Sequence, residues 1–458
     1  MLGMVKKNKE ILVICVLYGI ILLAVFVFII GGNVPPSGDD YDIIARNLLS
    51  DSFFGINGVD IGYLRTPGYP FFLTVVYFLG GKNAAVVIIQ ILLTVINVYM
   101  FYIILIMMNI PKRLTLFGTI LSLCYIHIPL TCAFNIMTET LFCFFLMLSL
   151  YFLIFYIKNG KKPQSFFAFS LSLNYALLVR PILMYFNMLV CLALLIAFII
   201  KKMQLKCFVL FTLCFALVFG GWSYRNYLHS GVFVFSTVSK INAQRYYAPI
   251  ITARIKNINN PNIGGFIEGA TDYHEEMFLQ EYPEARRGGN LNEAQIALLR
   301  GKYGSQFIKN NFSQYMKANI TGFFRMMFDP GFGGGTWAQL ITQRLTIQYI
   351  IRDIIKGLSL LSLAYIVIIY LIYLTGLVTV FKKRDFLQIG IFLLCGYLAI
   401  PGAIFGNTRF RDPFFPLLLL SAVSNSGVII QWLSQKLCIP VLQRIEKFLL
   451  HETEAAGQ

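Results

Sequence analysis

A chain of 458 residues with 57% apolar and 13% charged side chains lies outside the range of soluble domains, which carry about 45–50% apolar and about 25% charged residues. The formal charge of +17 does not mark a nucleic-acid surface. Its basic residues stand in small clusters between long apolar runs, the distribution that orients a polytopic protein in a bilayer. Nine cysteines without a Cys-x-x-Cys pair, most of them inside apolar runs, indicate neither a disulfide framework nor a zinc site.

The first apolar run, Ile11 to Ile30, follows Lys6, Lys7 and Lys9 and carries no charge. It can cross about 30 Å of hydrocarbon at about 1.5 Å per residue. It is too long for a signal-peptide core and no small-x-small cleavage site follows, so it reads as a retained helix. Nine further spans follow at 84–108, 114–134, 140–157, 166–179, 181–200, 207–222, 357–381, 386–403 and 413–432. Between them lie Lys112-Arg113, Lys158/Lys161/Lys162, Lys201/Lys202/Lys206 and Lys382-Lys383-Arg384, with Lys436, Arg444 and Lys447 after the last. If the N-terminus is cytoplasmic, every cluster falls on the cytoplasmic face of a cell membrane and the C-terminus is cytoplasmic too. The stretch Ser165 to Ile200 has basic clusters at both ends and would make a helix of about 54 Å. It must go out and return, and Arg180-Pro181 is the turn, because proline disfavours helix at the residue before it.

Two segments remain outside. The first, 31–83, contains PPSGDDYD, a short helical piece through Leu49, and RTPGYPFFLTVVYFLG, which is too short to span and suits the interface. The second, 224–356, is too long to lack structure in a compact protein, and its NEAQIALLRGKYGSQFIKNNF and QYMKANITGFFRMMF stretches predict a small helical domain. DPGFGGGTW reads as a flexible connection. The expected organisation is a transmembrane module over 1–223 with its first external loop at 31–83, an external domain over 224–356, and transmembrane helices with a cytoplasmic tail over 357–458.

Charged residues gather near the outer ends of spans: Asp39, Asp40, Asp42, Arg65, Glu139, Arg180, Arg225, Arg409 and Arg411. The span midplanes read as free of ionisable residues, unlike those of an ion-coupled transporter. Asp39 and Asp40 could serve as N-caps of the helix starting at Tyr41, or as a base for an acceptor hydroxyl. Arg65 in RTPGYP, Arg180 in RP and Arg225 in WSYRNY could be snorkelling anchors or phosphate ligands. Glu139 in MTETLF suits a helix N-terminus. His274, Glu275 and Glu276 could hold a metal but read rather as a solvated helix face. Asn311 and Asn319 match the glycosylation pattern.

In chain order, GDDYDIIARNLL, RTPGYPFFLTVVYFLG, TETLF, LVRP, WSYRNYLHSGVFVFST and FGNTRFRDPFFPLLLL resemble the integral-membrane GT-C glycosyltransferases. That group holds the lipid A aminoarabinose transferases and the protein O-mannosyltransferases. The resemblance implies an all-α polytopic fold with interfacial helices and an external helical domain. It implies an inverting transferase at the outer face, using a polyprenyl-phosphate sugar as donor and no metal or other cofactor. The acceptor would be a glycolipid, a cell-wall polymer or a protein. Asp39 or Asp40 would be the base, although many relatives place the acid about four residues before the helix tyrosine, where this chain has Ser37. Arg65, Arg180 and Arg225 would hold the donor phosphate, supported by Tyr41, Tyr69, Glu139, Arg409 and Arg411. The alternatives are an O-antigen polymerase or ligase, and a transporter or flippase of lipid-linked sugars.

Overall fold

In lipid a backbone must satisfy its polar groups internally, which an apolar helix does without partners. In this computed structural model the described residues are 9–29, 31–32, 34, 37, 39–56, 62–125, 127–256, 263–286, 289–330, 348–437 and 440–450. Their regular elements are all helices. The first half comprises α1 (Lys9–Ala24), α2 (Tyr41–Ser50), α3 (Gly68–Phe78), α4 (Asn83–Met107), α5 (Lys112–Cys124), α6 (Glu139–Lys158), α7 (Pro163–Val179), α8 (Met184–Ile199) and α9 (Leu205–Phe215). The second half comprises α10 (Gly221–Ser230), α11 (Val238–Asn242), α12 (Ala248–Ile255), α13 (Ile263–Glu281), α14 (Glu293–Asn310), α15 (Phe312–Phe328), α16 (Gln348–Lys383), α17 (Phe386–Ala403), α18 (Phe415–Leu437) and α19 (Pro440–Leu450).

Among the described residues each of the ten expected spans lies mostly on helix, and eight helical stretches are long and apolar enough to cross a membrane. By length and composition the chain is a multi-pass helical membrane protein. The two shorter cases have local causes. Helix α5 covers 13 residues and gives way, before Pro129, to a wider-wound turn at Ile128–Ala133. Helix α7 covers 17 residues and ends where Arg180 is extended, with φ −139° and ψ 118°, as the following proline requires. Pro181–Leu183 then forms a 3-10 turn that leads into α8. The seventh connection differs from expectation at its outer end, because the helix expected from 357 already begins at Gln348. Residues 331–337 of DPGFGGGTW lie outside the described residues.

Helix α6 is the central span, with 61% of its apolar window buried inside the protein. It packs between α4 and α7, while α18 packs on α16 and α5. The short pair α2–α3 packs on this bundle with α3 against α7. Gly68 permits that approach, since a Cβ there would lie 2.6 Å from the backbone of Leu178 and Val179. The contact seats the start of α3, and with it the loop carrying Arg65, beside the end of α7 that carries Arg180.

Between α9 and α16 lies a small helical cluster with its own core of Phe278, Tyr282, Ala285 and Tyr303. A capping box at Asn292 and Gln295 starts α14. One reading changes here. His274 is fully buried and hydrogen bonds through Nε2 to the Thr252 hydroxyl at 2.7 Å and through Nδ1 to the Tyr303 hydroxyl at 2.9 Å. Glu275 receives two charge-assisted bonds from Arg300, and only Glu276 of the three is exposed. The segment is therefore an inward-facing polar seam, because α13 turns that side toward α12 and α14.

Candidate active site

Ser37 organises the loop before α2. Its amide donates to the buried Asp42 carboxylate at 3.2 Å, its hydroxyl donates to the Ile136 carbonyl at 3.3 Å, and it accepts from the Asp39 amide at 3.3 Å. Asp40 holds the N-cap position of α2 with φ 62° but makes no side-chain cap bond, so its carboxylate does not serve the helix. Asp39 points the other way, into arginines. Arg65 Nη2 donates to Oδ1 at 3.1 Å and Arg409 Nη2 to Oδ2 at 2.8 Å. Burial would raise the Asp39 carboxyl, but the charges of Arg409 and Arg65 outweigh it and hold it below the usual carboxylate range.

Glu139 opens α6 and is 1% exposed. Its Oε1 accepts from Arg409 Nε and lies 3.3 Å from Arg180 Nη1, while the Thr138 hydroxyl donates to Oε2 at 3.3 Å. The N-terminus of α6 adds favourable dipole, and the two guanidinium groups give a buried carboxylate the partners it needs. The result is an alternating chain of charge, Arg65–Asp39–Arg409–Glu139–Arg180, with three cations against two anions. At both of its ends a buried guanidinium nitrogen has no hydrogen-bond partner among the described residues: Arg65 Nε and Arg180 Nη1. The Arg180 nitrogen is close to Glu139 but out of line for a hydrogen bond.

Aromatic rings wall the Arg65 end. Its guanidinium lies 4.9 Å from the Tyr41 ring centroid, Tyr41 meets Tyr69 edge-on at 5.2 Å, and the Tyr69 hydroxyl donates to Gln90 at 2.7 Å. Gln90 in turn donates to the Ala133 and Asn135 carbonyls at 3.0 and 2.7 Å, which fastens the segment leading to Glu139. Arg225 is not part of the charge chain. Its guanidinium lies 5.1, 5.7 and 5.9 Å from the ring centroids of Trp222, Phe54 and Tyr63 and donates to Asn226 at 3.0 Å. The two arginines share the loop around 63–65, which the Thr237 amide and hydroxyl and the Ser236 hydroxyl pin through the Tyr63 and Leu64 carbonyls.

Arg409 is delivered by a 3-10 turn, Thr408–Phe410, between α17 and α18, capped by the Asn407 side chain. That turn is held by a network that sequence reasoning passed over. Asp412 is fully buried and accepts from the Tyr125 hydroxyl at 2.7 Å and from the Cys132 thiol at 3.3 Å. His127 Nδ1 lies 2.7 and 2.8 Å from its two oxygens, and Nε2 lies 2.9 Å from the Thr408 hydroxyl. Burial would raise the Asp412 carboxyl, but His127 and Arg411 hold it low. Arg411 is a clamp rather than a site residue. It is fully buried, and its Nη1 donates to the Met326, Met327 and Asp329 carbonyls at 3.2, 2.7 and 3.0 Å, closing the C-terminus of α15 where a cation suits the dipole. The available signals for this network were a histidine inside an apolar span and an aspartate directly before Pro413.

No family model matches the chain, and no curated protein matches it. Among solved structures it is similar to ArnT from Cupriavidus metallidurans bound to undecaprenyl phosphate, at 12% identity over 94% of this chain and 81% of that one, with a TM-score of 0.41. The apo state of the same protein gives 12% identity, the same coverage and a TM-score of 0.39. Archaeal oligosaccharyltransferase AglB from Archaeoglobus fulgidus, in complex with an inhibitory peptide and a dolichol-phosphate, is similar at 12% identity over 98% of this chain, with a TM-score of 0.48; this chain spans 53% of its length.

Proposed function

We propose that the chain is a membrane glycosyltransferase that moves a sugar from a polyprenyl-phosphate donor to an acceptor hydroxyl at the face opposite the Lys/Arg clusters, with inversion. The observation that carries this reading is the charge chain Arg65–Asp39–Arg409–Glu139–Arg180, one positive charge in excess and with a buried nitrogen on each of Arg65 and Arg180 that makes no hydrogen bond among the described residues. A phosphate oxygen would satisfy those donors, and guanidinium groups so placed would stabilise the charge that grows on a departing prenyl phosphate. The ordered motifs of the sequence favour the same chemistry.

Asp39 is the base in this reading. Without donor, two arginines hold its carboxylate in the ionised, weakly basic form. A donor phosphate drawing Arg65 and Arg409 toward itself would relax that hold and raise the basicity of Asp39 as the acceptor arrives. Glu139 keeps Arg409 and Arg180 aligned, and Tyr41 and Tyr69 position Arg65. Arg225 acts at most on the lipid tail or acceptor side, through its aromatic surroundings. The test is transfer of labelled sugar from a polyprenyl-phosphate donor by the purified protein, coupled to mass spectrometry of glycolipids from cells with and without the gene. A sugar increment that disappears with the gene supports the reading; identical glycolipids and no transfer refute it.

A further inference from the structure

Helix α15 carries four ridges at a spacing of four residues. One ridge, Gln314, Ala318, Gly322 and Met326, contains the three residues of the helix that are buried, and Gly322 abuts α17 so closely that a Cβ would lie 2.1 Å from the Ala403 carbonyl oxygen. On the opposite side stand Phe312, Met316, Ile320, Phe324 and Phe328, which are 59, 41, 54, 55 and 40% exposed. Beside this apolar ridge runs a polar one, Ser313, Lys317, Thr321 and Arg325, of which all but Thr321 are exposed. The helix contains no acidic residue.

Depth can be read from the partners at the C-terminal end. Phe328 meets the Tyr370 ring edge-on at 5.7 Å and stacks on Phe324 at 6.2 Å, and the Tyr370 hydroxyl donates to the Met327 carbonyl at 2.9 Å. Tyr370 lies 12 residues along α16 from Lys382, about 18 Å of helix. Measured from that lysine end, it falls well within about 30 Å of hydrocarbon. Ala403 ends α17 at 17 residues from Phe386, about 26 Å, so between Gly322 and Phe328 the helix descends by about the 9 Å that its six residues span. The neighbouring span surface there is itself apolar and uncovered: Ile368 and Leu371 of α16 are exposed.

We infer that the C-terminal half of α15, with Ile320, Phe324 and Phe328, is sunk in the lipid of the leaflet opposite the Lys/Arg clusters and docks the external domain on the bilayer. Apolar rings take the acyl chains, and Lys317 and Arg325 meet anionic headgroups beside them. A second copy of the chain is a poorer occupant. A ridge about 25 Å long and about one side chain wide offers far less than the roughly 800 Å² per partner of a stable interface. The inference stands independently of the catalytic reading.

The test places single spin-labelled cysteines at Phe324 and Phe328 in a full-length, otherwise cysteine-free chain. The chain is reconstituted in vesicles of phosphatidylethanolamine and phosphatidylglycerol. Glu276→Cys and Leu371→Cys serve as aqueous and lipid references. The ratio of oxygen to nickel-chelate accessibility at 324 and 328 should exceed that at 276 several-fold and approach that at 371. A ratio equal to that at 276 overturns the inference, as does exclusion of both reagents, which would mean a protein cover. In a parallel arm the unmodified chain is photo-crosslinked with phosphatidylglycerol bearing an acyl-chain diazirine. Adducts on the segment 320–328 are expected; adducts confined to the spans would overturn it.

Discussion

Replacing Asp39 by Asn separates the base from every structural role its neighbours play. Asn keeps an acceptor oxygen for Arg409, at 2.8 Å in the wild type, and loses the one that faces Arg65 at 3.1 Å. One charge-assisted bond lost costs about 1.5–3 kcal/mol when buried. The lower end applies, because Arg65, Asp39 and Arg409 are 19, 27 and 29% exposed and water screens them. The fold therefore survives, and the cluster gains a further unit of positive charge, so donor binding should hold or tighten. Turnover should nonetheless fall by about 10²–10⁴, the usual loss of a general base. Asp40→Asn removes no side-chain cap bond and should leave the rate within about a factor of two, the scale of a surface change of about 0.5 kcal/mol. The assay is sugar transfer by purified variants, with donor binding measured in parallel. Near-normal turnover in Asp39→Asn, or an equal loss in Asp40→Asn, would refute the assignment. The pH dependence follows the same logic. Since the Asp39 carboxyl sits below its unfolded value, its ion pairs are intact above the ordinary carboxylate range of about 4 and fail only as pH falls through the depressed value.

Arg180→Lys keeps the charge but not the planar fork, so the donor KM should rise while stability changes little; an unchanged KM would return Arg180 to an anchoring role. Asp412→Asn replaces the buried carboxylate that accepts from Tyr125 and Cys132 and lies against His127, and a buried hydrogen-bonding group left unsatisfied costs about 1–3 kcal/mol; thermal unfolding in detergent should move down, and an unchanged transition would show that the turn carrying Arg409 is held otherwise. Burial depresses His274 from 6.5 to about 4, so protonation favours the unfolded chain between those values and stability drops as pH falls from 6.5 toward 4; His274→Gln should flatten that slope, by up to about 3 kcal/mol on the usual conversion. In intact cells a cysteine at the exposed Glu276 should react with an impermeant thiol reagent, and one at the exposed Lys161 only after lysis; labelling of position 161 from outside would overturn the orientation.

Local features determined much of this protein. Apolar runs fix where helices form, because hydrophobic transfer acts on contiguous sequence, and the basic clusters at alternate ends supply the expected orientation. The break at Arg180-Pro181 was legible for the same reason: a proline acts on the residue before it. The arginines and carboxylates at the span ends were legible as residue types, but their partners were not. Asp39 meets Arg409 across 370 positions and His127 meets Asp412 across 285, and no periodicity encodes which helix ends come together. Only the packing of α3 on α7 and of α18 on α5 decided that Arg65, Arg180 and Arg409 converge while Arg225 turns into an aromatic box and Arg411 into a helix clamp. The external segment shows the same division. Its helices followed from composition, but His274 was placed in a sealed seam, not on a wet face, by the side of α13 that α12 and α14 cover. Burial is a property of neighbours, and neighbours are set by the tertiary fold.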